Sequence, residues 1–237
     1  MRRKWIARFL HKRGLTIAPL NGPNLEAALL RLKARKVSLE TIIDVGASNG
    51  CWTEKLLPYY PHARYLCIEA QPAHEPALQD FVKKHPAVEY ALAAAGDREG
   101  EIYFDAGDLF GGLASEKPFA KNCLTVPVTT IDLQVEKRGL KGPFLIKLDT
   151  HGFELPILAG AARTLAQAAV LIVEVYNFDI AAQAVRFPEV CRILETKGFR
   201  CIDLFDPLYR PGDGAFWQMD LMFMRADRPE LQNNTYV

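Results

Sequence analysis

From about residue 41 onward the chain alternates short apolar runs with helical segments, and few folds accommodate that order other than a mostly parallel sheet fed by β-α units. The runs at 41–45, 65–69, 88–93, 145–149 and 170–174 read as strands, with helices between them. Two later runs, 199–205 and 219–224, flank a loop rich in Pro, Gly and Asp and read as a terminal antiparallel pair. The expected class is therefore α/β: a Rossmann-like, mostly parallel central sheet with a terminal antiparallel hairpin and a short helical N-terminal extension. A sheet of this kind can organise all 237 residues around one core. The expected division is an extension over residues 1–37 and one domain over 38–237.

Charge is distributed unevenly. Residues 1–37 hold ten Lys or Arg against the single Glu26, yet the whole chain has a formal charge of only +1, so the body is acidic. An acidic body lacks the Lys and Arg surface that nucleic-acid binding rests on, and no nucleic-acid partner is expected. Within the basic front, Trp5, Ile6, Phe9 and Leu10 fall at helical spacing in residues 2–13. Such a stripe either packs on the domain, the preferred reading, or makes weak contact with an anionic membrane surface. Asn24 is placed to cap a second helix whose Leu25, Ala28, Leu29 and Leu32 form one face. The five cysteines show no C-x-x-C pairing, and no run approaches the length needed to span a bilayer. A reducing, cytoplasmic setting is expected.

The first strand runs into Asp44-Val45-Gly46-Ala47-Ser48-Asn49-Gly50 and then into a helical segment. A glycine-bearing turn between strand and helix is where doubly wound sheets admit a nucleotide-like ligand. Alone it is a weak signal, because similar turns bind nothing. Glu69 strengthens it: it ends the second strand 23 positions after Gly46, near the spacing of an acid that grips ribose hydroxyls. The turn lacks the G-x-G-x-x-G that makes room for a pyrophosphate, so S-adenosylmethionine fits better than a nicotinamide dinucleotide.

These residues resemble the opening motif of FkbM-family methyltransferases, with Ser48 where the family more often has Asn. The resemblance continues through Ile68-Glu69-Ala70-Gln71-Pro72, Ala93-Ala94-Ala95-Gly96-Asp97, the Val128 to Leu133 stretch and Ile146-Lys147-Leu148-Asp149-Thr150-His151-Gly152-Phe153-Glu154. It runs on to Val173-Glu174 and Gln218-Met219-Asp220, covering about residues 40 to 225 in order. It implies a class I methyltransferase fold, S-adenosyl-L-methionine as donor, and a hydroxyl on a sugar, glycan or other small molecule as acceptor. The cofactor contacts it implies are Asp44, Gly46, Ala47, Ser48, Asn49, Gly50, Glu69, Ala70 and Asp149.

Asp149, His151 and Glu154 are the catalytic candidates, because a polar cluster at a strand's carboxyl end opens into the ligand crevice. His151 stands where the family more often has Glu or Gln. An imidazole is suited to taking a proton near neutral pH, with Asp149 to orient it; alternatively His151 bonds only within its loop and Asp149 is the base. Glu154 reads equally as a partner for Lys147. No metal is expected, since the other histidines are scattered and methyl transfer needs none if a base is present. The stretches 107–115 and 176–179 are the expected acceptor walls. A nicotinamide-dependent oxidoreductase and a non-catalytic S-adenosylmethionine-binding protein remain the alternatives.

Overall fold

A computed structural model describes residues 22–236. The basic helix expected at 2–13 lies outside the described residues. The central sheet contains β1 (Thr41–Val45), β2 (Arg64–Glu69), β3 (Val88–Leu92), β8 (Phe144–Leu148), β9 (Ala168–Tyr176), β10 (Phe199–Tyr209) and β11 (Phe216–Arg225), in the order β10-β11-β9-β8-β1-β2-β3. β3, β2, β1, β8 and β9 are parallel; β11 runs antiparallel to β9, and β10 to β11. The chain winds outward from β1 through β2 to β3, then restarts on the other side of β1 at β8. The gap between the carboxyl ends of β1 and β8 is thus a topological switch point, the place where open α/β sheets bind ligands.

The central parallel strands are buried on both faces, which explains their mostly apolar runs; Asp44 and Lys147 are the charged exceptions in β1 and β8. One face carries Ile43, Leu66, Ile146 and Val173 against α4 (Ile131–Lys137), α5 (Glu154–Ala159), α6 (Ala162–Leu165) and α7 (Phe187–Thr196). The other carries Ile42, Tyr65, Leu145 and Ile172 against α1 (Leu25–Ala34), α2 (Cys51–Leu56) and α3 (Glu75–Lys84). Among the described residues no helix is long and apolar enough to cross a membrane.

Two expectations need correction. The division at residue 37 cuts through a shared core. Asn24 caps α1 by accepting from the Ala27 amide, and Leu25, Leu29 and Leu32 are buried with the sheet residues Ile42 and Tyr65. Arg31 clamps the helix to β10 through a two-pronged pair with Asp203, at 2.6 and 2.9 Å. Because this pair is partly solvated, Arg31→Ala should cost only about 0.5–1 kcal/mol, read as a fall in Tm of roughly 1–4 °C. No change in Tm would show that the clamp contributes nothing to docking.

The second correction concerns the stretch between β3 and β8, where helices alone were expected. Here β4 (Ala94–Ala95), β5 (Gly100–Asp105), β6 (Leu113–Ser115) and β7 (Cys123–Thr129) form a separate sheet in the order β4-β7-β5-β6. Along β5, Ile102 and Phe104 point inward while Glu101 and Tyr103 face solvent, the alternation of a sheet wetted on one side. This sheet and its β5–β6 connection cover the switch point.

Candidate active site

The turn after β1 is shaped by how closely two strands meet. The Gly46 amide donates to the Ile68 carbonyl on β2 at 2.9 Å, and the Asp149 amide beyond β8 donates to the Val45 carbonyl at 3.0 Å. At φ +76°, a Cβ on Gly46 would lie 1.9 Å from the Asp149 carbonyl oxygen, so only glycine permits this approach. Ser48, also in the left-handed region at φ +45°, turns its amide onto Glu69 Oε2 at 2.7 Å; the Gln71 amide donates to Oε1 at the same distance. Glu69 is therefore buried and fixed, with its remaining lone pairs beside the turn. Burial pushes its carboxyl upward, opposed by those two amides.

Gly46, Ser48, Glu69 and Ala70 line a cavity of about 440 Å³ at the switch point, and so do Asp149 and His151. The other proposed cofactor contacts do not line it. Asp44 is buried behind the turn, accepting from Thr53 Oγ1 at 2.8 Å and lying 3.4 Å from Lys147 Nζ. Asn49 accepts from the Cys51 amide at the start of α2, Gly50 packs on Phe81, and Ala47 is in the core. These four shape the turn from behind.

The catalytic candidates separate in the same way. Lys147 Nζ lies 2.9 Å from Asp149 Oδ2, and although burial works to raise Asp149, the ammonium and nearby His151 hold its carboxyl below the ordinary value. His151 occupies the left-handed region at φ +52°, a conformation held only by its surroundings. Its Nδ1 lies 3.2 Å from the Gly112 carbonyl on the covering loop. A carbonyl can only accept, so Nδ1 carries the hydrogen and Nε2 faces Asp149 Oδ1 and Glu174 Oε2, each at 3.6 Å. Glu154 lies outside the cavity lining and does not pair with Lys147, whose ammonium is taken by Asp44 and Asp149. Instead Glu154 Oε1 accepts from the Gly152 amide at 2.9 Å and from Thr150 Oγ1 at 3.2 Å, fixing the loop that carries His151.

The residue assigned no role from the sequence is Glu174. It closes the cavity floor opposite Asp149, accepting from the Tyr176 hydroxyl and from Gln218 Nε2 on the neighbouring antiparallel strand. Burial, then the charge of Asp149, pushes its carboxyl up to about 9, so it holds a proton at neutral pH. Of the expected acceptor walls, Leu109, Phe110, Gly112 and Ala114 line one side and Tyr176 another, while Phe178 and Asp179 do not.

The Methyltransferase FkbM domain model matches residues 44–201. The chain belongs to the FkbM methyltransferase family. Every cavity residue named above except Gln218 falls inside the FkbM match. Among solved structures, the chain is similar to the Methyltransferase FkbM from Methylobacillus flagellatus KT, with 16% identity, a TM-score of 0.54, and coverage of 92% of this chain and 50% of that one. The present chain thus spans half the length of that structure. It is also similar to the precorrin-6y C5,15-methyltransferase from Geobacter metallireducens GS-15, at 13% identity and TM-score 0.46 over 84% of this chain and 88% of that one. Streptococcus pneumoniae Sp1610 in complex with S-adenosyl-L-methionine aligns at 13% identity and TM-score 0.47, over 84% and 72% respectively. No curated protein matches the sequence.

Proposed function

We propose that this FkbM-family chain transfers a methyl group from S-adenosyl-L-methionine to a hydroxyl of a small molecule or glycan. The observation that supports the reading is that one cavity is lined both by the Gly46–Ser48 turn with buried Glu69 and by Asp149, His151 and Glu174. The cavity lies in the size range of drug-sized ligands, and its excess of carboxylates suits a cationic sulfonium. When bound, the cofactor supplies an activated methyl group on that sulfonium.

Glu69 is placed to accept from ribose hydroxyls through the lone pairs that Ser48 and Gln71 leave free. Gly46 keeps the turn close enough to the strand ends for a ligand to lie across them. Phe110 and Leu109 on the covering loop exclude water from one side; His74 Nε2 donates to the Leu109 carbonyl at 2.7 Å and pins that loop. Displacement at a methyl group is governed by alignment, so these walls hold the hydroxyl in line and dry. As its oxygen attacks, the proton passes to the cavity floor, with His151 Nε2 the receiving atom when that nitrogen is free. The five cysteines are all unpaired, which suits a reducing compartment such as the cytoplasm.

Calorimetric titration with S-adenosyl-L-methionine tests the reading. Glu69→Ala should weaken binding at least tenfold, since hydrogen bonds to a charged group contribute about 1.5–3 kcal/mol each. Undiminished affinity in a folded Glu69→Ala protein, or tighter binding of a nicotinamide dinucleotide, would overturn the assignment.

A further inference from the structure

We infer that Asp149, His151 and Glu174 together form a divalent-cation site on the cavity floor, of the kind that takes Mn²⁺ or Zn²⁺. One ligand atom from each lies within 4.8 Å of the others, and His151 Nε2 is 3.6 Å from both carboxylate oxygens. Nitrogen and oxygen donors bound at about 2.0–2.2 Å in a tetrahedral shell lie about 3.3–3.6 Å apart, so the two His151 separations already match, and binding an ion draws the two carboxylate oxygens toward each other. One imidazole with two carboxylates favours Mn²⁺ or Zn²⁺ over the all-oxygen shells that Mg²⁺ and Ca²⁺ prefer.

The surroundings make the cluster a built site. Metal-bound histidines commonly donate their other ring N–H to a carbonyl, and the Gly112 carbonyl fixes His151 in that tautomer. Tyr176 and Gln218 donate to Glu174 Oε2 and Oε1 and fix its orientation. Lys147 engages Asp149 through Oδ2 and leaves Oδ1 toward His151. Acidic groups outnumber the ammonium here: Lys147 faces Asp44, Asp149 and Asp220. Asp220, directly across the strand pair from Glu174, has a buried Oδ1 without a hydrogen-bond partner. Three protein ligands at the edge of a cavity leave further coordination positions facing inward, the arrangement of a catalytic rather than a structural ion.

A cation here displaces any proton held by its carboxylate ligands, occupies the nitrogen that otherwise receives the proton, and acidifies a hydroxyl bound to it directly. Only this catalytic consequence rests on the methyltransferase reading; the site does not. The test is therefore made without cofactor or acceptor. The full chain, stripped with chelator, is titrated with Mn²⁺ while the electron paramagnetic resonance signal of free Mn²⁺ is followed, and with Zn²⁺ by calorimetry. One ion should bind per chain, with His151→Ala and Glu174→Gln each weakening it at least tenfold and Gln218→Ala acting in the same direction. Circular dichroism checks that each variant is folded. Absence of binding at millimolar Mn²⁺ and Zn²⁺, or equal binding by wild type and folded variants, overturns the site. Metal binding without any S-adenosyl-L-methionine affinity would sink the methyltransferase reading and leave the site standing.

Discussion

Replacing His151 with Ala should lower kcat by about 10² to 10⁴ while changing affinity for S-adenosyl-L-methionine little. The split follows from position. The cofactor half of the cavity is set by Gly46, Ser48 and Glu69, none of which His151 touches, whereas its Nε2 is the one basic lone pair turned toward the floor between Asp149 and Glu174. Asp149 is committed to Lys147, and Glu174 already carries a proton. Whether Nε2 takes the hydroxyl proton itself or holds a cation that acidifies the hydroxyl, it acts through its lone pair, and the variant loses both roles. The two roles separate on metal dependence: a base survives chelation, a ligand does not. A folded His151→Ala enzyme with normal turnover would move the proton-accepting role to Asp149.

Glu154 should behave differently despite its place in the same motif. The left-handed turn at His151 and Gly152 swings the chain so that Glu154 faces back onto the Gly152 amide instead of into the cavity. It is a positioning residue. Glu154→Gln keeps an acceptor for that amide and should preserve most of the turnover that His151→Ala removes.

The parallel core was legible because burial on both faces leaves apolar runs such as Val170 to Val173 in its strands, and a turn carrying Gly46 then marks the carboxyl end of the first. The small sheet over the switch point was not. Its strands are short, alternate Ile102 and Phe104 with solvent-facing Glu101 and Tyr103, and are joined through residues rich in Gly and Asp that read as loop. Glu174 left a usable signal, since it is a carboxylate in a buried apolar strand, as Asp149 is at the end of another. Its partners left none. Gln218 reaches Glu174 only through the antiparallel register that sets Asp220 opposite Glu174 and Gln218 opposite Tyr176, and no local pattern encodes that pairing. Asp44 and Glu69 show the complementary limit: both end up in or beside the turn, but only the folded geometry reveals that Glu69 borders the cavity while Asp44 is sealed behind it.

That sealed position makes Lys147 the residue whose loss should most damage the fold. Its side chain is 3% exposed, and its ammonium sits between Asp44 Oδ1 and Asp149 Oδ2 while lying 5.0 Å from the centre of the Trp52 ring. Burial alone would lower an ammonium's pKa, but the two carboxylates reverse this and raise it. Lys147→Met keeps the length of the side chain and strands two acids without their counter-charge. Breaking a buried pair from one side costs about 3–5 kcal/mol, which for a domain of this size is a fall in Tm of roughly 10 °C. The pH dependence carries a definite sign. In the wild type the Asp149 carboxyl is held below its ordinary 3.8, so its contribution is present above that value and is lost on acidification. Asp44 is already pushed above its ordinary value by burial in the wild type; without the ammonium it rises further and Asp149 rises too, so the folded variant holds protons the unfolded state has released, and its stability declines more steeply as pH increases. The gap between the two proteins should therefore be wide at pH 8 and narrow toward pH 4. Adding Asp44→Asn to the variant should recover part of the loss, because it removes one of the two stranded charges. Denaturant melts at pH 5 and pH 8 decide the matter: a gap that stays constant between them, or a Lys147→Met protein as stable as wild type at pH 8, would mean that the ammonium does not hold these acids in place.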